Sequence, residues 1–234
     1  TVWLAHDPRL DREVAVKVLR PGADRLAVDE WLHEARAVSR LNHPNIVPVF
    51  EADRHLGQSY LVFEYVSGGT LAAHLRDKGR LPAREAVVIA MQVLDGLQAA
   101  HAAGVVHRDL KPSNIWLDVA GGSTHAAGRA RVMDFGIAAR LDALGDACSP
   151  VHSAQTLPQT IIGTPGYLSP EAARGQQAGA QMDVFACAVM LAEMLSGQRL
   201  NFDRDPWAAV KRVAEQELEL PSGLGADVDD SLRA

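Results

Sequence analysis

His107-Arg108-Asp109-Leu110-Lys111-Pro112-Ser113-Asn114 places a carboxylate, an ammonium and a carboxamide on one short stretch. Asp109 can accept a proton from a hydroxyl, Lys111 can neutralise a phosphate in transfer, and Asn114 can hold a divalent cation through its side-chain oxygen. Moving a phosphoryl group needs little covalent help, so positioned charges of this kind supply most of the catalysis. A solvated turn of mixed charges would look the same in isolation. Order along the chain separates the two readings. Val14-Ala15-Val16-Lys17 and Glu34 precede the stretch, and Asp134-Phe135-Gly136 follows it. Last comes Gly163-Thr164-Pro165, running to Ser169-Pro170-Glu171.

Together these stretches resemble the catalytic domain of protein kinases, whose loop H-R-D-x-x-x-x-N is matched at every fixed position. The likeness covers nearly the whole chain and points to the bacterial, eukaryotic-like Ser/Thr kinases. It implies transfer of the ATP γ-phosphoryl group to a protein Ser or Thr hydroxyl, with Mg²⁺ or Mn²⁺. The alternative function is a catalytically weak, pseudokinase-like signalling scaffold on the same fold. A small-molecule kinase ranks last, because such enzymes lack the Gly-Thr-Pro-x-Tyr…Pro-Glu segment present here.

The resemblance assigns residues to roles. Lys17 would hold the α- and β-phosphates and pair with Glu34. Ala15 and Val2 would line the nucleotide site, and backbone groups of Glu64 and Val66 would meet the adenine edge, with Phe63 behind it. Trp116 stands where the family usually has Leu or Met beneath the adenine, and is expected to stack there. Asp134 and Asn114 would hold the metal, Asp109 would take the hydroxyl proton, and Thr164 would bond both Asp109 and Lys111. Asp183 would tie down the backbone of the catalytic loop.

These residues need elements to carry them. Residues 1–5, 13–19, 59–66, 115–117 and 131–133 read as strands, with Pro8 and Asp11 in a hairpin connection and residues 67–69 as a turn. Residues 29–41, 71–75, 82–103, 183–196 and 206–217 read as helices, and 218–234 enters another. Ala90, Val93, Leu94, Leu97 and His101 fall on one helical stripe, where His101 reads as a packed residue. Asp205 can cap the helix that opens at Pro206. The fold class is therefore α+β, the bilobal protein-kinase fold. A small β-rich N-lobe spans about residues 1–66 and a mostly helical C-lobe spans 67–234, with an activation segment over about 134–171. The family's Gly-rich loop would lie before Thr1 and its last helices after Ala234, so both are expected to be missing from these residues.

Bulk properties narrow the partners. A net charge of −6 argues against a nucleic-acid binder, which would show a basic field. The two cysteines, Cys148 in a polar stretch and Cys187 in an apolar one, do not suggest a disulfide, and a reducing, cytoplasmic setting fits. That setting includes the cytoplasmic part of a larger or membrane-anchored protein. No apolar run is long enough to cross a bilayer, since the best, 184–195, is short and contains Glu193. The nine histidines form no pattern of zinc-ligand spacing. Expected partners are a protein substrate and a second copy of the chain.

Arg108, beside Asp109, implies by resemblance that a phosphate on the segment between Asp134 and Gly163 pairs with this arginine and orders the segment. Thr160 lies four residues before Thr164, the usual place for such a phosphate, and Thr156, Ser149 and Ser153 are further hydroxyls. Phosphopeptide mass spectrometry of active protein is expected to find phosphate on Thr160 or Thr156, and active protein bare at both would exclude this regulation.

Overall fold

The computed structural model describes residues 1–18, 25–120, 128–135, 163–176 and 179–220, and the side chains of residues 25–30 lie outside that description. Gly136, Cys148, Ser149, Ser153, Thr156 and Thr160 fall outside it too.

Strands β1 (Val2–Asp7) and β2 (Arg12–Val18) form the expected antiparallel hairpin, turning at Asp11 with φ 50°. Asp tolerates that left-handed backbone because its short polar side chain bonds locally. A second hairpin joins β3 (Val49–His55) to β4 (Gln58–Glu64), giving a sheet of order β1-β2-β4-β3. Ser59, Leu61 and Phe63 alternate into the core along β4. Residues opposite one another in a ladder share a face, so Val2, Lys17 and Leu61 lie on the same side as Ala15 and Phe63. The charged stretch Glu51 to His55 does not read as a strand, yet it pairs as β3. Its side chains can stay largely exposed because β3 is an edge strand held by main-chain bonds.

The helix expected over 29–41 is α1 (Arg25–Val38), which buries Trp31, Ala35 and Val38. The turn expected at 67–69 leads instead into a short strand, β5 (Gly68–Thr70), paired with β6 (Ile115–Asp118), which pairs with β7 (Arg129–Val132). Gly68 permits this: its φ is +123°, and a Cβ there would sit 2.1 Å from the Leu117 carbonyl oxygen.

Helix α2 (Leu71–Lys78) is capped by Thr70, and α3 (Ala83–Ala102) buries Ala90, Val93 and Leu97. Leu94, expected in that stripe, is exposed. Gly96 lets α3 lie against the main chain at Asn45, since a Cβ there would fall 2.9 Å from its carbonyl oxygen. The short α4 (Pro170–Ala173) precedes α5 (Ala180–Ser196), buried along much of its length. In α6 (Pro206–Glu215), Asp205 accepts from the Trp207 N–H at 3.0 Å and Pro206 takes the first turn, as the sequence predicts.

One hydrophobic cluster runs from Trp31 and Phe63 through Leu71, Val93 and Leu97 to Val132, Phe135 and Met190, so the β-rich and helical parts share a core. Among the described residues no helix is long and apolar enough to cross a membrane. Cys187 is buried in α5, and burial pushes its thiol up to about 12. The thiolate is the reactive form, so iodoacetamide at about pH 8 is expected to leave Cys187 of the native protein unlabelled. Rapid alkylation, read by peptide mass spectrometry, would show that α5 is not packed this way.

Candidate active site

The loop between α3 and β6 is anchored from below. Asp183, in the first turn of α5 and 1% exposed, accepts from the backbone N–H of His107 at 2.8 Å and of Arg108 at 2.9 Å. His101 Nε2 lies 2.7 Å from the same carboxylate, and an ionised acceptor requires it to carry the proton. His101 is thus part of the anchor, more than the packed residue the sequence suggests. Arg108 is held at φ 66°, a left-handed conformation that non-glycine residues avoid. His107 is fully buried, with Nε2 3.0 Å from the Met133 carbonyl oxygen and its ring tilted against Phe135.

Above the anchor the expected groups converge. Thr164 Oγ1 donates to Asp109 Oδ1 at 2.7 Å, and Lys111 Nζ donates to Asp109 Oδ2 at 2.7 Å and to Thr164 Oγ1 at 2.8 Å. Asn114 Nδ2 donates to the Asp109 carbonyl oxygen at 2.8 Å, and Asn114 Oδ1 receives no donor among the described residues. Met133 N–H bonds the Asn114 carbonyl oxygen at 2.9 Å, bringing Asp134 next to Asn114. Asp134 also adopts a left-handed φ, 60°.

The ion pairs differ from expectation. Lys17 Nζ donates to Asp134 Oδ2 at 2.6 Å, and Glu34 Oε1 accepts from Arg108 Nη1 at 3.0 Å. Lys17 and Glu34, expected as partners, are each matched elsewhere. Each pair is partly buried, where an unmatched charge is costly. Here each lysine or arginine takes the carboxylate on the opposite element.

Val2 stands across from Lys17, and Ala15 across from Phe63, so the β1–β2 side chains expected at the nucleotide share the face of Lys17. Val66 is buried, and its N–H meets no acceptor among the described residues. Trp116 sits between Thr70 and Arg131 across the second sheet, its Nε1 buried with no partner among the described residues. Among the described residues no cluster of three His, Cys, Asp or Glu could hold a metal unaided. Asn114 and Asp134 instead offer two hard oxygen donors, which fits a Mg²⁺-type cation completed by phosphates and water.

Sequence reasoning missed Arg131. It is 8% exposed and forks onto Glu64 at 3.0 and 2.7 Å, Asp118 at 3.3 Å and the Ile46 carbonyl oxygen at 3.3 Å. Burial opposes its charge, but the two carboxylates outweigh burial and raise its pKa. Its only signal is an arginine inside an apolar strand, and no spacing rule names the partner.

The family model for the protein kinase domain matches residues 1–224. A probable serine/threonine-protein kinase PknB of Lactococcus lactis is 36% identical over 95% of this chain and 33% of its own length. The serine/threonine-protein kinase PrkC of Bacillus subtilis is 36% identical over 94% of this chain and 32% of its own. The serine/threonine-protein kinase PknB of Mycobacterium leprae is 37% identical over 97% of this chain and 36% of its own. The chain belongs to the protein kinase domain family. It spans about a third of the length of these relatives.

Asp183→Ala removes the acceptor of two main-chain N–H groups, one buried and one partly buried, and of His101. Each unsatisfied donor costs roughly 1–3 kcal/mol, so a loss of about 3 kcal/mol is expected in urea unfolding. Stability within about 0.5 kcal/mol of the parent would refute the anchor.

Proposed function

We propose that this chain transfers the γ-phosphoryl group of ATP to Ser or Thr hydroxyls of proteins. The observation that carries the reading is the Asp109–Lys111–Thr164 triangle lying beside Asn114 and Asp134. Both Asp109 oxygens are engaged, yet each keeps a lone pair, so Asp109 can accept the proton of an incoming hydroxyl. Thr164 and Lys111 hold that carboxylate in one orientation. Lys111 also brings a positive charge to the phosphoryl oxygens in flight. ATP with Mg²⁺ or Mn²⁺ supplies the phosphoryl group and neutralises its charge when bound. Asn114 Oδ1 and the Asp134 carboxylate would hold the metal. Val66 N–H and the Glu64 backbone would take the adenine edge, with the Trp116 indole under the ring. Lys17 would leave Asp134 for the phosphates.

Regulation follows the same ion pairs. A phosphate on Thr160 or Thr156 carries about two negative charges and would outcompete Glu34 for Arg108. Glu34 is then released toward Lys17, and Lys17 away from Asp134. The phosphate would come from a second copy acting in trans. A cytoplasmic setting, alone or beside a membrane anchor, suits ATP as donor.

Asp109→Asn keeps the shape and removes the base. Transfer to a protein substrate is expected to fall roughly a hundredfold or more, while nucleotide still binds. Radiolabelled transfer unchanged in this variant would refute the role given to Asp109.

A further inference from the structure

Beside the Asp109–Lys111–Thr164 triangle lies a groove of 520 Å³, walled by α2 on one side and by the end of α5 on the other. Its charged lining is Arg76, Lys111, Glu193 and Arg199. Three of these charges have a partner nearby. Lys111 is bound by Asp109 at 2.7 Å. Glu193 accepts from the Tyr167 hydroxyl and lies 3.8 Å from Arg199 Nε. Burial and the bond to Glu193 push the Tyr167 phenol well up, so it remains a donor to that carboxylate.

The one acidic residue of the lining is therefore occupied and 12% exposed, whereas the Arg199 side chain is 64% exposed. Arg76, in the last turn of α2, is exposed and has no ion pair among the described residues. Asp77, its neighbour in sequence, does not line the groove. A peptide laid here meets Arg76 unpaired and Arg199 held only loosely by Glu193, although the chain as a whole carries −6.

Resting on the transfer reading above, we infer that this groove selects acceptor peptides with an Asp or Glu near the Ser or Thr, and that Arg76 recognises that carboxylate with help from Arg199. A guanidinium offers a fork of donors that matches a carboxylate, and fixed positive charge suppresses basic competitors. Glu193 is a poor receptor for a basic residue, because it is 12% exposed and already accepts from the Tyr167 hydroxyl.

The test uses peptides that differ only in a single Glu, Gln or Lys, placed in turn at each position within about three residues of the acceptor. Both kcat/KM and the anisotropy Kd of fluorescein-labelled copies are measured with the whole chain. At one or more positions the Glu peptide is expected to exceed the Lys peptide roughly tenfold in both, since an exposed attraction becomes a repulsion. Raising the salt should shrink that ratio. Arg76→Glu should invert it, and Arg76→Gln should fall between. Equal handling of Glu and Lys at every position, or a ratio that Arg76→Glu leaves in place, overturns the inference. Peptides phosphorylated without charge preference sink the groove and leave the transfer reading standing. Peptides bound in the Glu-first order but never phosphorylated uphold the groove and sink the transfer reading.

Discussion

Asp183 receives two main-chain N–H groups and an imidazole while almost wholly shut away from water. A carboxylate in such surroundings is costly unless its oxygens are saturated. Here the saturating donors belong to the backbone whose conformation has to be fixed. The left-handed φ of Arg108 persists because the bond from its own N–H to Asp183 holds it. On the far side the loop is pinned by Asn114, whose carbonyl oxygen receives the Met133 N–H. Asp109 and Lys111 leave from a backbone clamped at both ends. Their placement is therefore a property of α5 and of the β6–β7 pair as much as of the loop.

This division explains what could be read from the sequence. Asp109, Lys111 and Asn114 are neighbours in the chain, so local order alone puts them together, and the Thr164 bonds follow from resemblance to a whole family. The cap at Asp205 and the buried Ala90, Val93 and Leu97 follow from local rules too. Strand β3 was opaque because an edge strand takes its stability from main-chain pairing, which leaves no apolar alternation in residues 51–55. Strand β5 was hidden in Gly68 and Gly69, which signal a turn unless the approach of Leu117 is known. The anchoring role of His101 could not be seen from a stripe of helical spacing, since its partner lies on another helix.

The pairing of Lys17 with Asp134, and of Glu34 with Arg108, marks a deeper limit. Sequence spacing says which charges exist, and not which of two nearby carboxylates a cation takes. All four side chains keep some contact with solvent. Water still screens such pairs, so no single match holds a decisive advantage. The choice then falls to the position of α1, which carries Glu34, and to whatever charge approaches Arg108.

Arg131 shows where that adjustment cannot come from. Its guanidinium ties Glu64, at the end of β4, to Asp118, at the end of β6, and to the main chain at Ile46. A lysine could not hold these acceptors in one plane. The strand that carries Arg131 leads three residues later to Asp134, so the segment at Val66 and the carboxylate at Asp134 are set in one frame. Sliding β4 against β7 would break a bidentate pair whose guanidinium is buried, leaving that charge short of partners. Arg131 thus joins β4, β6 and β7 in one frame, and the Lys17–Asp134 pair at the cleft lies outside it.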